Sequence, residues 1–122
     1  FKSTWVAAGG YEPVVEALFS AAVDGFFMEF DSERAGDFAP LRFAPKDKKV
    51  VLGLVTTKVG RLEDKDTLKR RIDAAARHVP LENLCLSPQC GFSSTHHGNT
   101  LSYEEQWRKL ERIVEVAREV WR

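Results

Sequence analysis

The stretch VVLGLV, Val50 to Val55, is apolar at both of its alternating sets of positions and mostly β-branched or leucine. A strand with that pattern must be covered on both faces, the condition of strands in a parallel sheet. The flanking sequence alternates accordingly. Pro13 suits the first turn of a helix; Val14, Val15, Leu18, Phe19, Ala22 and Val23 follow helical spacing, and Asp24-Gly25 closes it. FFMEF, Phe26 to Phe30, is too short and too continuous for a surface helix and reads as a buried strand. Residues 31–49, DSERAGDFAPLRFAPKDKK, read as a long polar loop carrying two prolines. Leu68, Ile72, Ala75 and Val79 form the next helical stripe, stopped by Pro80, and NLCLS, Asn83 to Ser87, is a third strand. The last helix opens on a capping box, Ser102 with Glu105 three residues on. Its apolar face is Trp107, Leu110, Val114, Ala117 and Trp121.

The predicted order is αβαβαβα, with helices serving as crossovers. That is an α/β fold of parallel strands joined right-handedly, either a barrel or an open doubly wound sheet. No internal repeat or low-complexity linker divides residues 1–122, so a single unit is expected. GLVTTKVG lacks both the dinucleotide spacing and the Gly-Lys-Ser/Thr ending of phosphate loops, which disfavours nucleotide binding.

Eighteen basic and eighteen acidic residues cancel, and no basic stripe points to nucleic acid. No apolar run approaches the roughly 20 residues of a membrane helix, and no signal peptide is visible. Neither a nucleic acid nor a membrane is expected as a partner. Two cysteines are too few for a disulfide scaffold, so a reducing, cytoplasmic location is expected. The sequence starts at Phe1 without a methionine, on the loop-like FKSTWVAAGG, and we expect a piece of a longer polypeptide.

The residues that could carry chemistry lie at strand ends. Cys90 follows Pro88, which ends an apolar run, and precedes Gly91, which permits a tight turn. Ligands of α/β proteins bind outside the carboxyl ends of the parallel strands. Cys85, within the run, reads as core filler. Glu29 sits among large apolar neighbours, where an unpaired carboxylate would cost several kcal/mol. It is either a strand-end carboxylate reaching solvent or lysine, or a metal ligand or general acid/base. Glu29 and Cys90 close two parallel strands and can converge above one end of the sheet. A carboxylate and a thiolate can bind zinc, but four ligands are usual. His96 and His97 in STHHGN read as a solvated loop, and His78 as a surface residue near a helix end. The charged pair in ERAGDF could line a pocket or simply be solvated. Lys58, just past the second strand, suits a substrate carboxylate or, equally, solvent.

At these residues the sequence resembles the carboxyl-terminal barrel of the cobalamin-independent methionine synthase family, and its shorter, single-barrel members in particular. VDGFFMEFDSERAGDFAPLRF, KKVVLGLVTTK and LCLSPQCGFSST with the later GN carry the likeness, which spans essentially the whole chain. The resemblance implies a TIM-type barrel, of which this chain supplies about three strands with flanking helices from the carboxyl-terminal portion. A complete barrel takes about 250 residues. It implies a zinc-dependent methyltransferase that activates the thiol of homocysteine and gives methionine, the methyl coming from methyltetrahydrofolate or another donor. Of the family's zinc ligands, a glutamate and a late cysteine fall on Glu29 and Cys90. The His-x-Cys pair is expected upstream of Phe1. Lys58 stands where long members place a proton-donating histidine. A related transferase acting on another thiol, and a non-catalytic half-barrel serving in assembly or regulation, stay open. The isolated chain is expected to be inactive. With one sheet face uncovered, FFMEF and VVLGLV are expected to expose apolar side chains and drive self-association.

Overall fold

The computed structural model describes residues 10–30, 37–93 and 96–122. Its three strands, β1 (Gly25–Glu29), β2 (Lys49–Val55) and β3 (Leu84–Pro88), form one parallel sheet in the order β1-β2-β3. The most uniformly apolar strand, β2, takes the centre, as its lack of a polar face requires. Phe26 pairs with Val50 and Val50 with Leu84, while Glu29 pairs with Gly53 and Gly53 with Ser87. Because paired residues share a face, Phe26, Met28, Val50, Leu52 and Leu84 point to one side, and all are buried. Phe27, Glu29, Val51 and Cys85 point to the other.

The helices, α1 (Val15–Phe19), α2 (Lys65–Ala76) and α3 (Tyr103–Val120), pack on the first side. From α1, Phe19 meets Phe26 edge-on with ring centroids 5.0 Å apart. Leu68, Ile72 and Ala75 of α2, with Val79 beyond its end, enter the same core, as their spacing predicts. Asp64 caps α2, accepting a hydrogen bond from the Thr67 N–H at 3.0 Å. That bond, first among its causes, holds the Asp64 carboxyl below its ordinary range. The capping box of α3 is present in both directions, Glu105 N–H to Ser102 Oγ at 3.1 Å and Ser102 N–H to Glu105 Oε1 at 3.0 Å.

The structure corrects the predicted order at the connection between β1 and β2. Its described part holds no α-helix, only a 3₁₀ turn, Ala39–Phe43, in the stretch read from the sequence as a polar loop; that reading agrees with the structure there, and the strict αβαβαβα alternation does not hold. Proline is the physical reason: Pro45 keeps Ala44 extended, at φ −64° and ψ 133°, which ends the helical turn. Helix α1 is also shorter than its apolar spacing suggests. Ser20 Oγ donates to Ala17 O at 2.7 Å and the chain leaves the helix there, placing Ala22 and Val23 in solvent.

The packed face of α3 differs from the expected one. Trp107 and Val114 are exposed, whereas the packed stripe runs through buried Lys109 and Val116 with half-buried Ile113 and Val120 at the same helical spacing; of the expected face, Trp121 packs against the core. Sequence hydrophobicity favours the neighbouring stripe because a lysine interrupts this one. Cys85 is not core filler either: it is half-buried on the face without helices. That face is less apolar than expected. Phe27 is 82% exposed, but β2 contributes only half-buried Val51, the bare Gly53 and buried Val55 to it.

Candidate functional site

The carboxyl ends of the three strands are tied together by side chains. Glu29 closes β1, half-buried, its backbone N–H donating to the Tyr11 hydroxyl at 2.8 Å. Tyr11 is itself held against Phe30, ring centroids 5.1 Å apart. From the end of β3, Gln89 Nε2 donates to Glu29 Oε2 at 3.2 Å. The Gln89 oxygen accepts from the Thr56 hydroxyl at 3.2 Å and the Thr57 N–H at 3.4 Å, both just past β2. One glutamine thereby joins all three strand ends. Gly53 sits in the row between Glu29 and Ser87, and a Cβ there would lie 3.3 Å from Met28 O and 3.4 Å from Glu29 Cα. Glycine lets the strands close tightly under the carboxylate.

Cys90 follows Gln89 and is exposed. The turn after it is made by Gly91 at φ +109°, a conformation that favours glycine, with Gly91 N–H donating to Gln89 O at 2.8 Å. Asn99, from the loop before α3, donates to Thr57 O at 2.9 Å and fastens that loop to the end of β2. The Thr100 hydroxyl donates to Lys58 O at 3.1 Å.

Below this layer lies a buried ion pair. Lys109 Nζ, with no exposed side-chain surface, donates to Glu63 Oε1 at 2.9 Å and to Arg61 O at 2.8 Å. The other Glu63 oxygen accepts the Thr56 N–H at 2.8 Å. The pair therefore sets where the end of β2 stands relative to α3. Among the described residues, the buried polar or charged ones are Thr57, Lys58, Gln89 and Lys109, all at or just under this rim. Thr57 Oγ1 is buried with no hydrogen-bond partner there.

Of the residues singled out in the sequence, Glu29 and Cys90 lie at the same end of the sheet, with Gln89 bonded to one and adjacent to the other. Lys58 stands at this end too and is 6% exposed, which sets aside the solvated-loop reading. His96 and His97 are exposed, their rings 3.8 Å apart, and His78 is exposed at the end of α2. Residues 31–36, which include the charged pair of ERAGDF, and residues 1–9 lie outside the described residues. A cleft of about 750 Å³ beside the start of α3 is lined by Phe92, His97, Asn99 and Tyr103 among others, and by neither Glu29 nor Cys90.

A carboxylate and a thiol fit the donor chemistry of a zinc site, and both stand where the chain turns above the strands. No group of three or more His, Cys, Asp or Glu that could hold a metal occurs among the described residues. Glu29 and Cys90 supply half of a tetrahedral set. Gln89, Tyr11, Glu63 and Lys109 were not legible as parts of this site. The one signal for Gln89 was its position beside Cys90.

The chain is 52% identical over its full length to two uncharacterised proteins of Bacillus subtilis, YxjH and YxjG, and spans 33% of each. It thus covers about a third of the length of these relatives. Among solved structures it resembles a Listeria monocytogenes protein whose assignment as a vitamin-B12-independent methionine synthase is provisional. The identity there is 46% and the TM-score 0.75, over 96% of this chain and 34% of the other. A B12-independent methionine synthase from a Shewanella species, solved with selenomethionine, matches with a TM-score of 0.75 at 21% identity, over 90% of this chain and 30% of that one, a likeness of fold. The three parallel strands and their helices are therefore a portion of a TIM-type barrel. Residues 4–119 match the catalytic domain of the cobalamin-independent synthases, and the chain belongs to that family.

Proposed function

We propose that this chain supplies part of the active site of a zinc-dependent methyltransferase that transfers a methyl group to the thiol of homocysteine, giving methionine. The observation that carries the reading is the Gln89 bond to Glu29, which brings the strand end bearing the carboxylate to the one bearing Cys90. Glu29 and Cys90 would hold the metal, and two further donors would come from residues outside those described. When bound, zinc lowers the pKa of a coordinated thiol so that a thiolate exists at neutral pH.

This chain's own residues hold the donors in place. Tyr11 and Gln89 fix the strand end carrying Glu29, and the Gly91 turn presents the Cys90 thiol outward. Glu63 and Lys109 keep Thr56 and Thr57 in register with Gln89. Lys58, at the same rim, is the candidate for charge or proton contact with a substrate. Methyltetrahydrofolate or another methyl compound would serve as donor.

The gene product that carries this sequence tests the reading when purified and assayed for bound zinc and for methyl transfer to homocysteine. Stoichiometric zinc and methionine formation are expected. Zinc with transfer only to other thiols would redirect the substrate, and absence of both would overturn the reading. Two donors hold zinc weakly, so the 122-residue chain alone is expected to be inactive. We also propose that the isolated chain self-associates through the face carrying Phe27. Sedimentation showing a monodisperse 13.8 kDa species at high concentration would refute it.

A further inference from the structure

Gln89 is 7% exposed, and its amide can be oriented in only one way. The Thr57 backbone N–H can only donate, so the atom 3.4 Å from it must be the carbonyl oxygen. With the oxygen so fixed, the amide atom 3.2 Å from Glu29 Oε2 is the nitrogen, which donates to that carboxyl oxygen. Turning the amide over would set donor against donor and acceptor against acceptor. The backbone of the same residue is pinned as well: its N–H donates to Val55 O at 3.0 Å and its carbonyl accepts from Gly91 N–H at 2.8 Å. Cys90 lies between these two anchored residues.

We propose that Gln89 is a positioning residue that sets the rotation of the Glu29 carboxylate, and through its anchored backbone the placement of Cys90, so that the two donors meet one zinc ion. The inference rests on the reading of Glu29 and Cys90 as metal ligands. It adds that their mutual geometry is fixed by the strand ends of β2 and β3, through Thr56 and Thr57, and not by the metal alone. Partners that orient a metal-bound group typically matter about 10- to 100-fold in metal affinity.

The test compares Gln89→Leu, Gln89→Glu, Glu29→Gln and the unaltered gene product that carries this sequence. Zinc affinity is read by chelator competition, the visible spectrum is read after cobalt substitution, and thermal unfolding of the metal-free forms is read alongside. Gln89→Leu removes all the side-chain bonds. Gln89→Glu keeps an acceptor for Thr56 and Thr57 and turns only the contact with Glu29 into one between carboxylates, so it serves even if the leucine variant folds poorly. Zinc affinity is expected to fall about 10- to 100-fold in each Gln89 variant, with displaced cobalt bands. A general loss of structure would lower the unfolding temperature of the metal-free protein and leave the cobalt bands of the folded fraction in place. Unchanged zinc affinity and cobalt bands in Gln89→Glu, with zinc lost in Glu29→Gln, would overturn the positioning role while sparing the metal site. Zinc retained in full by Glu29→Gln would overturn the metal reading and this inference with it.

Discussion

The two ends of the sheet are built differently. At the carboxyl rim, Thr57, Lys58 and Gln89 are buried, and Lys109 braces them from below. At the amino rim the polar groups are just as bonded but lie at the surface. Lys49 Nζ donates to Glu82 O at 2.6 Å, Asn83 Nδ2 to Lys46 O at 2.8 Å, and Trp121 Nε1 to Leu81 O at 2.8 Å. Burying polar groups costs free energy unless every bond is made, so a chain serving stability alone would favour the second arrangement. The contrast matches the division of labour in β/α barrels, with chemistry at the carboxyl end of the strands and stability at the other. Changes at the carboxyl rim are therefore expected to disturb activity beyond their effect on folding, and changes at the amino rim are not.

The two thiols give the sharpest form of that comparison. Cys90 stands above the end of β3 and Cys85 within it, on the sheet face that carries Phe27. Cys90→Ser is expected to remove zinc and to lower methyl transfer on the order of 1,000-fold, more than the roughly 100-fold upper end for losing only a ligand's supporting partner. Cys85→Ser should leave zinc content and rate near those of the parent. Zinc kept in full by Cys90→Ser, measured by metal analysis of the purified variants, would mean that Cys90 is not the ligand, and equal loss in both would mean that position along β3 does not separate the two thiols.

The ion pair under the rim comes next. Lys109→Met removes the charge but nearly keeps the volume, leaving Glu63 facing a buried apolar chain. Breaking a buried pair on one side costs several kcal/mol, and because Glu63 keeps some exposure, about 3 kcal/mol is expected here. Urea unfolding checks it. Activity should fall as well at temperatures where the variant is fully folded, because Glu63 also holds the N–H of Thr56, whose hydroxyl donates to Gln89. A stability loss with an unchanged rate would reduce the pair to scaffolding.

What the sequence disclosed follows the same division. The three strands, the stripe of α2, the capping box at Ser102 and the turn at Gly91 rest on local spacing or single-residue conformation, and local rules found them. Gln89 and Lys109 act through partners 60 and 46 residues away, and no local pattern reports such a pairing. Lys109 also hid the true face of α3. A lysine reads as solvent-facing, so the stripe through Ile113, Val116 and Val120 lost to the one through Trp107 and Val114, which are exposed. Glu29 and Cys90 were singled out through their strand-end positions and family resemblance, whereas Gln89 and Tyr11, which bond to Glu29, were not.

At the amino rim, Asn83→Ala removes the bond to Lys46 O and the weaker contact from Lys49 Nζ at 3.4 Å. These groups are at the surface and water can replace the partners, so a cost of about 1 kcal/mol is expected in urea unfolding. Zinc content and methyl transfer should not change. A substantial loss of activity in the folded variant would show that the two rims are not separate.

The smallest effect expected belongs to a cluster between the rims, where Lys65 and Lys69 of α2 meet Glu119 of α3. Hydrogen bonds from Lys69, then Lys65, hold the Glu119 carboxyl down at about 2, from an ordinary value of 4.5. A carboxyl with a lowered folded-state pKa adds stability that is complete above its unfolded value and fades as pH falls toward the folded one. Glu119→Gln should therefore lower the urea midpoint slightly near neutral pH, and the difference should shrink between pH 4.5 and about 2 and be lost below it. The group is exposed, so salt at 1 M should shrink the neutral-pH difference as well. A difference that persists undiminished in acid would mean that Glu119 joins the two helices by packing and not by charge. In either case the rate of methyl transfer should stay unchanged, since among the described residues the cluster bonds to neither Gln89 nor Glu63.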